Sequence, residues 1–129
     1  MKRRIDEVAR FTRRPREVAE FYAGILDQPL PRDGSEVFNF KVEGVNLFVH
    51  LSDEAPPEPG WPPGVDHIAL EVEDLDEECE RLRRAGYEVE GPRDFPWGRS
   101  AYVNDPDGRL VELHGSDVKH DQDRNSPQD

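Results

Sequence analysis

Val65-Asp66-His67-Ile68-Ala69-Leu70-Glu71-Val72 alternates cleanly, with Ile68, Leu70 and Val72 on one face of an extended segment and His67, Ala69 and Glu71 on the other. Two residues later Asp74 is placed to cap a helix, with Glu77 as its capping-box partner. Leu75, Cys79, Leu82 and Ala85 trace the buried stripe of that helix, and Gly86 ends it. Downstream, residues 87–90 and 99–103 read as strands. Asp105-Pro106-Asp107-Gly108 is a strong turn signal, and residues 110–114 form a last strand.

The same order precedes this segment. Residues 5–11 read as a strand, and Pro15 suits a first helical position. Val18, Phe21, Tyr22, Ile25 and Leu26 then recur at helical spacing, with Gly24 close to the helix end. Residues 36–42 are strand-like, Gly44 makes a turn, and residues 46–51 are another strand. The expected architecture is an α+β fold of two βαβββ modules, residues 1–52 and 65–115, forming one domain. Together they would make a cupped mixed sheet with the helices outside. Residues 53–64, rich in proline, read as a stiff connector. Residues 116–129 lack apolar periodicity and read as a flexible tail.

Composition narrows the partners. The 129 residues carry 17 Lys+Arg against 29 Asp+Glu, a formal charge of −12. That field repels phosphate backbones and anionic lipid heads, so neither nucleic acid nor a membrane surface is expected as a partner. No apolar stretch approaches the roughly 18 residues of a membrane span, and the N-terminus has no hydrophobic signal core. The single cysteine, Cys79, cannot close an internal disulfide. A cytoplasmic protein is expected. Only 34% of residues are hydrophobic, which leaves sheet edges to cover and points to a homodimer.

Four side chains carry the candidate chemistry. Glu7 and His67 lie in the first strand of each module, and His50 and Glu112 in the last. If a pseudo-twofold axis relates the modules, all four can point into one cleft, away from the helices. Two imidazoles and two carboxylates suit one divalent ion: Zn, Ni, Co, Mn or Fe. Such an ion would act as a Lewis acid on adjacent substrate oxygens, with Glu112 or Glu7 moving a proton. Phe11, Phe48, Trp97, Arg99 and Tyr102 are candidates to line the cup. An aromatic ring and a guanidinium in residues 95–99 could hold a flat or anionic ligand.

The second-half segments 65–72 and 104–113, together with Ala19-Glu20-Phe21-Tyr22 and Ile25-Leu26, resemble the vicinal oxygen chelate superfamily of glyoxalases, bleomycin-resistance proteins and extradiol dioxygenases. The resemblance spans about residues 5–114. It implies metal ligands on the first and last strand of each module, which here fall on Glu7, His50, His67 and Glu112. His67 and Glu112 agree in type with the family pattern. Glu7 and His50 stand where glyoxalase-like members tend to have His and Glu. The resemblance implies a small-molecule substrate or ligand and leaves three activities open. These are a metal-dependent glyoxalase-like lyase or isomerase, a metal-free sequestering protein of bleomycin-resistance type, and an Fe(II) extradiol dioxygenase.

Overall fold

A computed structural model describes residues 2–32, 36–56 and 66–116. The chain divides into two compact units. Unit 1 comprises Met1–Pro59 with the short segment Asp105–Gly108, and unit 2 comprises Gly60–Asn104 with Arg109–Asp129.

In unit 1, strand β1 (Glu7–Thr12) leads into helix α1 (Pro15–Leu26), followed by β2 (Val37–Val42) and β3 (Val45–Leu51). Thr12 Oγ1 accepts the Arg14 N–H at 3.0 Å, turning the chain out of β1, and Pro15 opens the helix. Val18, Ala19, Phe21, Tyr22 and Ile25 are the buried stripe of α1, at the spacing that one helical face requires. Gly24 lies inside the helix, and Asp27, left-handed at φ 54°, caps its end. The sheet order is β1-β3-β2, with β1 parallel and β2 antiparallel to β3. Glu43 and Gly44, both at positive φ, make the tight two-residue turn between β2 and β3. Phe38, Phe40, Leu47 and Val49 supply the buried face on which α1 packs.

The turn segment of unit 1 is held by polar contacts. The buried Tyr22 hydroxyl donates to Asp105 Oδ2 at 3.0 Å and accepts from Arg10 Nε at 3.1 Å. Burial, with the Asp105 carboxylate next in weight, pushes the Tyr22 phenol well above its usual range. Asp105 accepts the Asp107 N–H through its side chain and the Gly108 N–H through its backbone carbonyl. Arg14 bonds the Pro106 carbonyl and the Asp107 carboxylate.

In unit 2, β4 (His67–Glu71) precedes α2 (Leu75–Arg84), then β5 (Glu90–Phe95), β6 (Gly98–Asn104) and β7 (Leu110–His114). The sheet order is β4-β7-β6-β5, with β4 parallel to β7 and the remaining pairs antiparallel. Asp74 caps α2 by accepting the Glu77 N–H at 3.1 Å. Asp76, Glu77 and Glu78 occupy the first turn and Arg81, Arg83 and Arg84 the last, matching the helix dipole at both ends. Leu75, Cys79 and Leu82 are the buried stripe, and α2 packs on β5 and β6. Burial pushes the Cys79 thiol up, away from the thiolate that reactivity needs.

The α+β class and the two-module plan match the sequence reading, with two differences. Residues 87–89 do not form a strand, because the chain there is still completing the helix terminus: Gly86 N–H and Tyr87 N–H return to Arg83 and Leu82 carbonyls. Pairing with β6 begins only at Glu90. Module 1 has three strands among the described residues rather than the four of the pattern, and residues 33–35 lie outside that set. Most of the predicted connector (57–64) and of the predicted tail (117–129) also lies outside the described residues.

Candidate functional site

The polar centre of unit 2 is built by register. Strands β4 and β7 run parallel with His67 opposite Leu110 and Ala69 opposite Glu112. His67 and Glu112 are therefore diagonal neighbours on one face. His67 Nε2 stands 2.9 Å from Glu112 Oε1. The second carboxylate oxygen, Oε2, accepts the Ser100 hydroxyl at 2.8 Å, and Ser100 Oγ in turn accepts the Trp97 indole N–H at 3.3 Å. Glu112 and Ser100 are buried, whereas the His67 side chain keeps 24% of its surface exposed. A buried carboxylate is costly unless its lone pairs are met, and here both oxygens have partners.

Aromatic rings surround this pair. Tyr102 lies directly opposite Glu112 in register and meets the His67 ring edge-on, centroids 6.3 Å apart. Phe95 meets Tyr102 edge-on at 5.8 Å and stacks flat on Trp97 at 4.6 Å with planes 4° apart. Trp97 sits in the β5–β6 turn, whose close return brings the indole over Ser100.

Arg99 does not join them. Alternation along β6 puts Ser100 and Tyr102 on the face that carries Glu112 and puts Arg99 on the other. The guanidinium forks onto both oxygens of Asp76 in the first turn of α2, each at 3.0 Å, and holds the Asp76 carboxyl below its usual range. The expected ligand-facing cation is thus a strand-to-helix clamp.

Unit 1 places the other two candidate ligands differently from the expected pattern. Along the parallel β1/β3 ladder Glu7 pairs with Asn46 and His50 with Phe11. Four residues of register separate them, about 13 Å at the usual rise of a strand, and strand side chains stand roughly perpendicular to the sheet. Glu7 and His50 therefore do not converge on one ion. Superposing the registers shows why. Glu7 and His67 each open their strand, opposite Asn46 and Leu110, which follow Gly44 and Gly108 by two residues. Counting on by two, the counterpart of Glu112 is Phe48; counting on by four, the counterpart of His50 is His114. Both histidines lie within 2.9 Å of the carbonyl of the following residue through Nδ1, His50 at 2.7 Å from Leu51 and His114 at 2.9 Å from Gly115. Phe11 is 51% exposed, with its ring 5.5 Å from that of His50, and Phe48 lies on the same sheet face, two residues along β3.

A metal ion can be weighed against these donors. Two ligand atoms about 2.1 Å from one ion at near-right angles stand about 3 Å apart, so the spacing of His67 Nε2 and Glu112 Oε1 suits two adjacent ligands. Within each unit, among the described residues, no group of three or more His, Cys, Asp or Glu side chains is placed to hold an ion. The equivalent pair in unit 1 is Glu7 and Phe48, and Phe48 offers no lone pair. Of the four ligands expected from the sequence, the two of unit 1, Glu7 and His50, are not brought together by the register.

The family model described as Glyoxalase/Bleomycin resistance protein/Dioxygenase superfamily matches residues 4–113. The chain belongs to this superfamily. Among solved structures, this superfamily member is similar to TnmS3, an antibiotic-binding protein from Streptomyces sp. CB03234. The identity is 26%, the TM-score 0.65, and the match covers 88% of this chain and 96% of that one. The fosfomycin resistance protein FosX from Listeria monocytogenes shares the fold at 24% identity and TM-score 0.71, over 96% of this chain and 99% of that one. A lactoylglutathione lyase from Agrobacterium tumefaciens shares it at 21% and 0.69, over 88% and 94%.

Sequence reasoning located His67, Glu112, Trp97 and Tyr102, and the structure gathers them. It missed Phe95 and Ser100, since a lone serine carries no type-level signal. The Gly44 and Gly108 turns held the clue to the register: His50 and His114 each follow their glycine by six residues.

Proposed function

We propose that this superfamily member binds a flat, partly aromatic small molecule and holds it without a resident metal ion. The observation that carries this reading is Phe48, which occupies the register position of Glu112 and removes a donor from the expected set. The ring cluster of Phe95, Trp97 and Tyr102 beside the part-buried His67–Glu112 pair supports the ligand class: apolar faces for a planar ring, and a donor–acceptor pair for one polar substituent. The likeness to an antibiotic-binding protein is consistent with it.

Protein purified without chelator should carry less than about a tenth of an equivalent of Zn, Ni, Co, Mn and Fe, and added metal should leave its melting temperature unchanged. Titration with 2-naphthoate or acridine should quench Trp97 emission saturably and raise the melting temperature; Trp97→Phe serves as control, because Trp61 also emits. A near-stoichiometric metal that His67→Ala removes, without saturable binding of either ring compound, would reverse the assignment.

The second reading is a metal-dependent lyase or isomerase of glyoxalase type, acting on adjacent oxygens. The 2.9 Å spacing of His67 Nε2 and Glu112 Oε1 favours it. In that reading His67 and Glu112 would hold the ion, which would supply Lewis acidity. Nε2 cannot donate a proton to Glu112 and a lone pair to a cation at once, so the ring tautomer separates the two readings. For the assembly we propose a homodimer in the cytoplasm. Light scattering on a sizing column reporting one chain's mass, or recovery in a membrane fraction, would count against these two proposals respectively.

A further inference from the structure

The chain of hydrogen bonds behind Glu112 has a direction that its chemistry fixes. An indole N–H can only donate, so at 3.3 Å the Ser100 oxygen accepts from Trp97. The single hydroxyl proton of Ser100 is then committed to Glu112 Oε2, 2.8 Å away, since a serine has one proton to give. With that oxygen accepting, the carboxylate presents Oε1 as a second acceptor, and the group 2.9 Å from it is His67 Nε2. Ser100 is wholly buried and Glu112 nearly so, which removes bulk water as a competing partner.

We propose that Ser100 is a positioning residue, and Trp97 the donor that orients it. Together they hold Glu112 as a double acceptor and so keep the neutral His67 ring protonated on Nε2. In that tautomer the lone pair of the ring is on Nδ1, and Glu112 holds the Nε2 side of the ring. The chain runs Trp97 to Ser100 to Glu112, with His67 donating from the far end. This deepens the binding reading above by assigning the polarity of its donor–acceptor pair. It also couples the aromatic wall to the polar pair, because Trp97 belongs to both.

The tautomer is readable without any ligand, so this proposal and the binding reading can fail separately. Long-range proton–nitrogen correlation spectra of the metal-free protein, taken where they show a neutral ring, should show His67 with Nε2 protonated; His67→Gln assigns the signals. Ser100→Ala should lower the ratio of Nε2–H to Nδ1–H roughly threefold or more and move the Trp97 indole N–H resonance upfield, since each loses one hydrogen-bond partner. Trp97→Phe keeps a ring against Phe95, frees the hydroxyl to rotate, and should shift the ratio in the same direction. A wild-type ring protonated on Nδ1 overturns the proposal. So does an unchanged ratio in Ser100→Ala, or in Trp97→Phe if the alanine variant does not fold. A serine with a merely structural role would change the melting temperature and leave the tautomer alone.

Discussion

Tyr22 shows how one hydroxyl links distant parts of the chain. Its O–H bridges Arg10 and Asp105, 83 residues further on, and it is fully buried. Tyr22→Phe should destabilise the protein by about 1–3 kcal/mol at neutral pH, because Asp105 loses a donor inside the fold. Denaturant titration reads that loss. The raised phenol pKa adds an alkaline signature. As pH rises past about 10 the unfolded phenol ionises before the folded one, so the native state binds more protons and stability falls with pH. The phenylalanine variant should lack this part of the alkaline slope, and identical slopes would count against it. At the same scale, the limits of sequence reading are physical. His67 and Glu112 were legible because alternation shows which strand residues face away from a helix. Arg99 stands one residue of parity away from Ser100, enough to put its side chain on the opposite face. Ser100 matters through what it touches, which a lone sequence does not display.

At the scale of elements, caps and turns were the most legible features and strand limits the least. The Asp74–Glu77 signal predicted the start of α2, and the cap is present. Asp74→Ala should cost about 1 kcal/mol, visible as a lower urea midpoint with an unchanged slope. Strand β5 was placed too early because nothing in residues 87–90 reveals that Tyr87 N–H is still serving a helix carbonyl. That strand carries a register shift between Glu90 and Arg93, and Gly91 lies within it at φ +100°. A Cβ on Gly91 would stand 3.0 Å from the Ser100 carbonyl oxygen and 3.1 Å from Arg93 N, both backbone atoms. Gly91→Ala should therefore lower stability by about 1–3 kcal/mol and broaden the Trp97 indole resonance, since the strain falls on the residue that orients Glu112. A melting temperature within about 1 °C of wild type would show that the strand yields at no cost.

For the whole molecule, charge outweighs any single ion pair. With 29 acidic and 17 basic side chains, self-repulsion opposes the compact state. Among the described residues most ion pairs, such as Arg16–Glu20 and Arg84–Glu80, join exposed side chains and return little. Raising salt from about 0.01 M to 1 M contracts the screening length from about 30 Å to 3 Å, so the melting temperature should rise across that range. A falling melting temperature would mean that ion pairs, not repulsion, dominate. The fold class and superfamily were legible at this scale because the βαβββ order is written in alternation, helical spacing and two glycine turns. The ligand set was not, since equivalence between modules depends on ladder register, and the strand-by-strand offsets of 60 and 64 residues differ.

The assignment of Asp105–Gly108 to the first unit, while the strands on either side of it belong to the second, bears on how the protein can be taken apart. A fragment ending at residue 59 would leave Tyr22 and Arg14 facing missing acceptors, and the complementary fragment would carry a hairpin tip stripped of its clamp. The halves look like tandem copies, yet neither could be transplanted by cutting at the proline-rich stretch.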